Sequence, residues 1–267
     1  MSERLRPESS VAAKVFPSPS HDERKGGRRP DLLLLHYTGM PVAGEALQWL
    51  CNPVSKVSAH YFVFEDGHVV QSVPEGRRAW HAGAGRWAGE EDINSCSIGI
   101  EIANAGHDGG LPPFHEAQIA SVIALGLDLC ARWTIPADRV LAHSDIAPRR
   151  KRDPGERFPW RALYGAGLGH WVEPAPIRDG RFFQAGDEGP PVEALQAMLA
   201  LYGYGVPISG RYCEETAFAV TAFQRHFRPE RVDGIADAST ITTLRDLIAS
   251  RPARPARSPD GAGLSDA

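Results

Sequence analysis

The sequence predicts an α/β fold, a mixed central sheet flanked by helices, followed by a small three-helix C-terminal domain. Three observations carry that expectation. Short apolar runs bounded by turn signals alternate with a long helical period up to about residue 172. A Pro-rich stretch, EPAPIRDGR at 173–181, then interrupts the pattern. Beyond it only helical periodicity remains.

The elements follow in order. Leu32-Leu33-Leu34-Leu35, between Arg-Pro-Asp and His36-Tyr37-Thr38-Gly39, reads as a buried strand. AHYFVFEDGHVV at 59–70 places two strand-like runs around Asp66-Gly67, a hairpin signal. SIGIEIA at 97–103 alternates around a single charged residue, Glu101, with Ile100 and Ile102 expected on the opposite face. Residues 116–133 carry helical spacing, with Ile119, Val122, Ile123, Leu127, Cys130 and Trp133 on one face. Arg139 to Ala142 is another short strand, ending at His143. After the Pro-rich stretch, helices are predicted over Val192–Tyr202, Glu214–Phe227 and Ser239–Ile248. Their inward residues are expected to be Leu195, Leu199 and Tyr202, then Phe218, Ala222 and Phe223, then Ile241, Leu244 and Ile248. The loops ISGRYCEET and VDGIADAST are weakly similar, so the module is a quasi-repeat. The division is therefore a polar N-terminal segment 1–30, a first domain 31–172, a linker 173–184, a helical domain 185–250 expected to fold independently, and a disordered tail 251–267 rich in Arg and Pro.

Composition narrows the function. The 267 residues are 42% hydrophobic and 23% charged, which is globular, and Gly 27 with Pro 22 implies many loops. A net charge of −4 disfavours binding to nucleic acid through phosphate neutralisation. No apolar run is long enough to span a membrane. Cys51, Cys96, Cys130 and Cys213 are scattered without a Cys-x-x-Cys pair, so they read as small buried hydrophobes. In residues 1–30 the longest apolar run, Val11-Ala12-Ala13, stops at Lys14, far short of a secretory signal.

Two histidines and one carboxylate stand out by placement. His36 and His143 each follow a strand, and Asp153 lies ten residues beyond His143. Such a set suits catalytic zinc, since three protein ligands leave a fourth position open. Alone it is weak: a histidine after a strand is commonly an ordinary hydrogen-bonded residue, and Asp153 before Pro154 fits a turn. Glu101 within SIGIEIA needs a partner if buried, either an arginine or a task as general base. Lys151 would put a cation beside the same centre, or simply belong to a solvated RRKR run.

LLLLHYTG, VSAHYFVFEDG, RRAWHAG, NSCSIGIEIAN and AHSDIAPRRKRDPGERFPW, in this order, resemble the zinc-dependent N-acetylmuramoyl-L-alanine amidases of the AmpD/AmiD type, which share a fold with phage T7 lysozyme and the peptidoglycan recognition proteins. The match runs from about Asp31 to Trp171. The helical domain, GPPVEALQAMLALYGYG…TAFAVTAFQRHF…DGIADASTITTL, resembles the peptidoglycan-binding domain often appended to such enzymes. The resemblance implies one Zn²⁺ per chain on His36, His143 and Asp153, with Glu101 as catalytic glutamate and Lys151 beside the metal. It puts Trp80, His81 and Asn104 in or near the substrate groove. It implies hydrolysis of the amide between N-acetylmuramic acid and L-alanine in peptidoglycan or muropeptides, with no nucleic acid and no obligate protein partner. A non-catalytic recognition protein and a zinc peptidase of the stem peptide are the competing readings. A pure binder would have no reason to keep the ligand set. The substrate argues for periplasm or cell envelope. The missing leader and the unpaired cysteines argue for cytoplasm.

Overall fold

A computed structural model describes residues 6–252. The strands of the first domain are β1 (Lys14–Val15), β2 (His21–Glu23), β3 (Leu32–Tyr37), β4 (Tyr61–Val63), β5 (Val69–Gln71), β6 (Arg77–Ala79), β7 (Ser97–Ile102) and β8 (Val140–Ala142). Its helices are α1 (Ala43–Leu50), α2 (Ile93–Cys96), α3 (Glu116–Trp133), α4 (His143–Ile146) and α5 (Trp160–Gly165). Six strands form one sheet in the order β1-β5-β4-β7-β3-β8. The β4–β5 pair is the predicted antiparallel hairpin, turning at Gly67, and the other neighbours are parallel, so the sheet is mixed. β2 and β6 form a separate antiparallel ribbon.

Parallel strands buried on both faces explain the unbroken Leu32–Leu35 run, all four of which are inaccessible. Ile98, Ile100 and Ile102 point into the main core with Val122, Leu125 and Leu129 of α3. A smaller cluster on the other face joins Ala46, Leu47 and Leu50 of α1 to Phe62, Val70 and Ala103. The α3 boundaries match the predicted period, but its face is turned. Gln118, Ile119, Val122, Leu125, Gly126 and Leu129 are buried, while Leu127 is exposed. Gly126 belongs to the buried face: a Cβ there would lie 2.4 Å from the Leu168 side chain, which packs on the bare backbone.

The N-terminal segment, polar in composition, is built into the domain. β1 extends the main sheet beside β5, and β2 pairs with β6. Arg24 is buried and donates to the carbonyls of Glu75, Asn94 and Ser95 at 2.8–3.2 Å. Its polarity therefore satisfies buried backbone rather than solvent. Of the cysteines, Cys96 is fully buried and the other three are half-buried, all of them free.

The C-terminal module comprises β9 (Phe182–Phe183), α6 (Pro190–Tyr202), α7 (Glu214–Phe227), β10 (Ala236–Asp237) and α8 (Ala238–Ala249). β9 and β10 pair antiparallel, a contact periodicity had not indicated. The quasi-repeat is visible atom by atom. Gln196 of α6 accepts from the backbone N–H of Ser209 and Gly210, and its amide donates to Arg211 O and Thr216 Oγ1. Gln224 of α7 accepts from the N–H of Asp233 and Gly234, and donates to Ile235 O and Thr240 Oγ1. Each glutamine is fully buried and ties its helix to the following Gly turn and to the threonine that opens the next helix. Gln224→Ala should therefore cost about 2–4 kcal/mol, because several buried groups lose their partner at once. A urea titration read at the tyrosine and tryptophan fluorescence checks this. Phe218, expected inward, lies half-buried beneath Arg149 instead.

The module is not held apart by a free linker. Within 173–184, Ala175 donates its N–H to Thr243 Oγ1 and accepts from Ser239 Oγ, so the segment lies along α8. The two domains share one hydrophobic core, where Trp87 meets Tyr202 and Tyr204 edge-on. His170 bonds Tyr202 and Ser250, and Arg251 bonds Asp138 and the Leu201 carbonyl. The interface is apolar and hydrogen-bonded, whereas the sequence signalled only a change of composition. Apart from Arg251 and Pro252, the predicted tail lies outside the described residues.

Candidate active site

Parallel pairing brings the chemistry together. His36 at the end of β3 is in register with Glu101 of β7, so both side chains leave the same face at neighbouring strands. On the other side of β3, Leu35 is in register with Ala142, which delivers His143 at the start of α4 beside His36. Asp153 returns on the following loop, where its carbonyl accepts from the Ser144 N–H at 3.0 Å. Ligands at the carboxyl ends of parallel strands occupy the usual position for a site in such a sheet.

His36 Nδ1 and His143 Nδ1 stand 2.8 Å apart, and Asp153 Oδ2 lies 3.1 Å and 2.9 Å from them. All three residues are buried, and they form the metal-competent cluster of histidine and carboxylate found among the described residues. Their outer hydrogen bonds orient the rings. His143 Nε2 faces the Ala82 carbonyl at 2.9 Å, so it must donate and turn Nδ1 to the centre, as a lone pair when the ring is neutral. His36 Nε2 faces His81 Nδ1 at 3.0 Å; His81 Nε2 lies 3.3 Å from Ser97 Oγ, which donates to the Ile93 carbonyl at 2.6 Å. Donation along this chain leaves His36 Nδ1 as a lone pair too. Burial, and the neighbouring His143, push the His36 imidazole down to about 4, so it is neutral at pH 7. Burial works against ionising Asp153, but His143 and His36 outweigh it and hold the carboxyl well below its ordinary range. Two imidazole nitrogens and a carboxylate oxygen therefore converge on one point. Two imidazoles and one carboxylate are a donor set that fits zinc, with a fourth position left open.

Glu101 faces the same space. Its Oε2 is buried and has no hydrogen-bond partner. Burial and the charge of Asp153 push the carboxyl up to about 8, against the pull of Lys151. Among the described residues it joins no ion pair, so an arginine-paired structural glutamate is not what stands here. Glu101, Lys151 and the three ligands line one cavity of about 240 Å³. Its far wall is Met40, Trp49, Leu50 and Val57, of which Trp49 and Val57 also present exposed apolar surface.

Of the three residues expected in or near the groove, His81 lines this cavity and Trp80 and Asn104 do not. Trp80 does not line the cavity: its Nε1–H donates to Asp22 Oδ1 at 3.2 Å and it packs at the β2–β6 ribbon. Asn104 does not either. Its amide donates to Pro112 O and accepts from the Gly106 N–H, which shapes the loop after β7. Short polar side chains in such loops are consumed by the backbone around them. His81 does border the cavity, but both ring nitrogens are engaged in the chain that orients His36. Reasoning on the sequence missed Ser97, the Ala82 carbonyl, Arg150 (which also donates to Ala82 O at 2.7 Å) and the Trp49–Val57 wall. For Ser97 a signal existed, since Ser97, Gly99 and Glu101 alternate with the three isoleucines.

Gly99 makes room for this arrangement. A Cβ there would lie 2.5 Å from the His81 ring. Gly99→Ala should displace His81, remove the acceptor of His36 Nε2 and weaken metal binding by about 10- to 100-fold, as loss of an outer partner typically does. Competition with a coloured zinc chelator measures it.

Convergent donors, an unpaired carboxylate and a lysine around one cavity at the ends of parallel strands define a hydrolase of the metal-dependent type. Comparison with known proteins gives the family. The N-acetylmuramoyl-L-alanine amidase profile matches residues 26–156, and a peptidoglycan binding domain profile matches residues 188–244. The N-acetylmuramoyl-L-alanine amidase AmiD of Escherichia coli (strain K12) is 38% identical over 236 residues, covering 82% of this chain and 83% of its own. The 1,6-anhydro-N-acetylmuramyl-L-alanine amidase AmpD of Enterobacter cloacae is 38% identical over 171 residues, 58% of this chain and 89% of its own. A solved complex of E. coli AmiD with the substrate anhydro-N-acetylmuramic acid-L-Ala-D-gamma-Glu-L-Lys superposes with a TM-score of 0.70 at 34% identity, covering 91% of this chain and 93% of that one. The chain belongs to the N-acetylmuramoyl-L-alanine amidase family.

Proposed function

We propose that this enzyme hydrolyses the amide between the lactyl group of N-acetylmuramic acid and the L-alanine of the stem peptide, with one zinc ion held by His36, His143 and Asp153. The observation that carries the reading is the convergence of His36, His143 and Asp153 beside Glu101, whose Oε2 is buried and without a hydrogen-bond partner. Zinc supplies a Lewis acid that polarises a carbonyl and lowers the pKa of a water toward about 7. The remaining work belongs to the chain. Ala82 and His81 fix the two imidazole tautomers. The charge of a bound metal would favour the ionised form of Glu101, whose Oε2 then accepts a proton from the attacking water and returns it to the leaving amide nitrogen. Lys151 places a positive charge where the carbonyl oxygen becomes negative. Trp49 and Val57 offer apolar surface to the sugar and peptide beside the reacting bond.

The helical module holds the enzyme to polymeric wall and raises the local concentration of substrate. Among the described residues no helix is long and apolar enough to cross a membrane. A module for polymeric wall fits the cell envelope better than the cytoplasm, and fractionation of the native protein tests that placement. The reaction itself is tested by mass analysis of the products from a defined muropeptide. The expected products are a free muramic-acid sugar and a peptide beginning with L-alanine. Cleavage between amino acids of the stem would make it a peptidase, and an intact muropeptide would make it a binding protein.

A further inference from the structure

The helical module reaches the metal centre through one buried carboxylate. Asp145 lies in α4, two residues after His143, and is wholly inaccessible. Its Oδ2 accepts from the Ala142 N–H at 2.8 Å, the residue just before His143. The same Oδ2 accepts from His226 Nδ1 of α7 at 2.7 Å, and Oδ1 accepts from the Tyr204 hydroxyl at 2.7 Å. Two of the three donors on Asp145 thus come from the module. Both are rigidly held. The His226 ring stacks between Trp160 and Phe227, each with centroids 3.7 Å away, and Tyr204 packs edge-on to Trp87 at 5.0 Å. The consequence extends to a second ligand. The N–H of Ser144, between His143 and Asp145, holds the Asp153 carbonyl, so the position of α4 sets both His143 and Asp153.

We infer that Tyr204 and His226 are positioning residues for the metal centre: by fixing Asp145 they set where His143 and Asp153 stand, which makes the module part of the apparatus that builds the site as well as an attachment to the wall. This rests on the reading that the triad holds a metal. A carboxylate that is buried cannot shift cheaply, because each lost donor leaves an uncompensated charge in a dry environment. Outer partners of this kind orient ligands as effectively as those bonded directly to them.

The test uses the full chain. Tyr204→Phe removes one hydroxyl and keeps the ring. His226→Phe keeps the stack on Trp160 and removes the donor, and His226→Asn restores a donor near the place of Nδ1. Arg251→Ala breaks a contact between the same two domains at Asp138, away from Asp145, and serves as the control. Zinc affinity by chelator competition, the visible spectrum of the cobalt-loaded protein, melting temperature, and kcat and KM on a soluble muropeptide are measured for each.

The Tyr204→Phe/His226→Phe double variant should bind zinc about 10- to 100-fold more weakly. Its cobalt spectrum should change, and its kcat should fall with KM nearly constant. Tyr204→Phe alone should lose about tenfold, which decides the matter if the double variant does not fold. His226→Asn should recover part of the affinity, and Arg251→Ala should lower the melting temperature only. Variants that melt lower yet keep the parent zinc affinity and cobalt spectrum would make Tyr204 and His226 merely structural and overturn the inference. A parent protein that takes up no zinc would instead overturn the metal reading beneath it, and the two failures are told apart on the parent alone.

Discussion

Glu101→Gln should lower kcat by about 10²- to 10⁴-fold, the usual cost of removing a general base, with zinc content unchanged. Glu101 is the only charged residue of β7, and the alternating isoleucines hold that strand in the core, so its side chain is fixed on the cavity face. Oε2 has no partner to satisfy it, which a purely structural carboxylate would have. Glutamine keeps the volume and shape, but an amide nitrogen cannot take a proton from water. The loss should therefore fall on kcat more than on KM. Stability separates this from a structural role. Oε2 makes no hydrogen bond that glutamine would lose, so the variant should melt close to the parent temperature. A variant that melts lower yet turns over at the parent rate would take Glu101 out of the mechanism.

That glutamate also shows what the sequence makes legible. Period-two alternation places Glu101 opposite Ile100 and Ile102, and the structure has it so. His36 and His143 are readable as strand-end residues, and the resemblance of the surrounding motifs gives them their partner Asp153. What joins them is register, and register arises from pairings distant in the chain: nothing local says that His36 lies beside Glu101. The outer shell is less readable still. His81 looks like a groove residue until Gly99 is seen making room for its ring, and Trp80 and Asn104 are spent on Asp22 and on a loop backbone. Arg24 is buried by carbonyls of three distant residues, which composition reports only as polarity. Asp145 stands in an HSDI segment that resembles an ordinary helix start, and indeed it caps one. Its two other partners come from residues 59 and 81 positions away, across a segment whose prolines and glycine suggested separation. The glutamine ties of the module were half-visible, since the similar loops were evident but the residues fastening them were not.

His143→Ala should lose turnover and tight metal binding together, the reverse pattern to Glu101→Gln. His143 supplies one of three donors, and its ring is fixed by the Ala82 carbonyl, so no neighbouring group can replace it. Structural zinc sites gain about 10–16 kcal/mol from four ligands, or roughly 3 kcal/mol each. Losing one imidazole should then weaken zinc by about 100-fold or more. The parent gives the matching control. Chelation should stop hydrolysis, and added zinc should restore it to the parent but not to the variant. Zinc should also raise the parent melting temperature, because a ligand at about 100 times its dissociation constant adds roughly 2.7 kcal/mol to the folded state. Removing the buried imidazole also leaves a cavity and takes a donor from the Ala82 carbonyl, so metal-free His143→Ala should melt below the metal-free parent. Calorimetry with and without zinc reads both effects on the same samples. If verified metal-free parent still cleaves muropeptide at the original rate, the three residues are not a catalytic metal site.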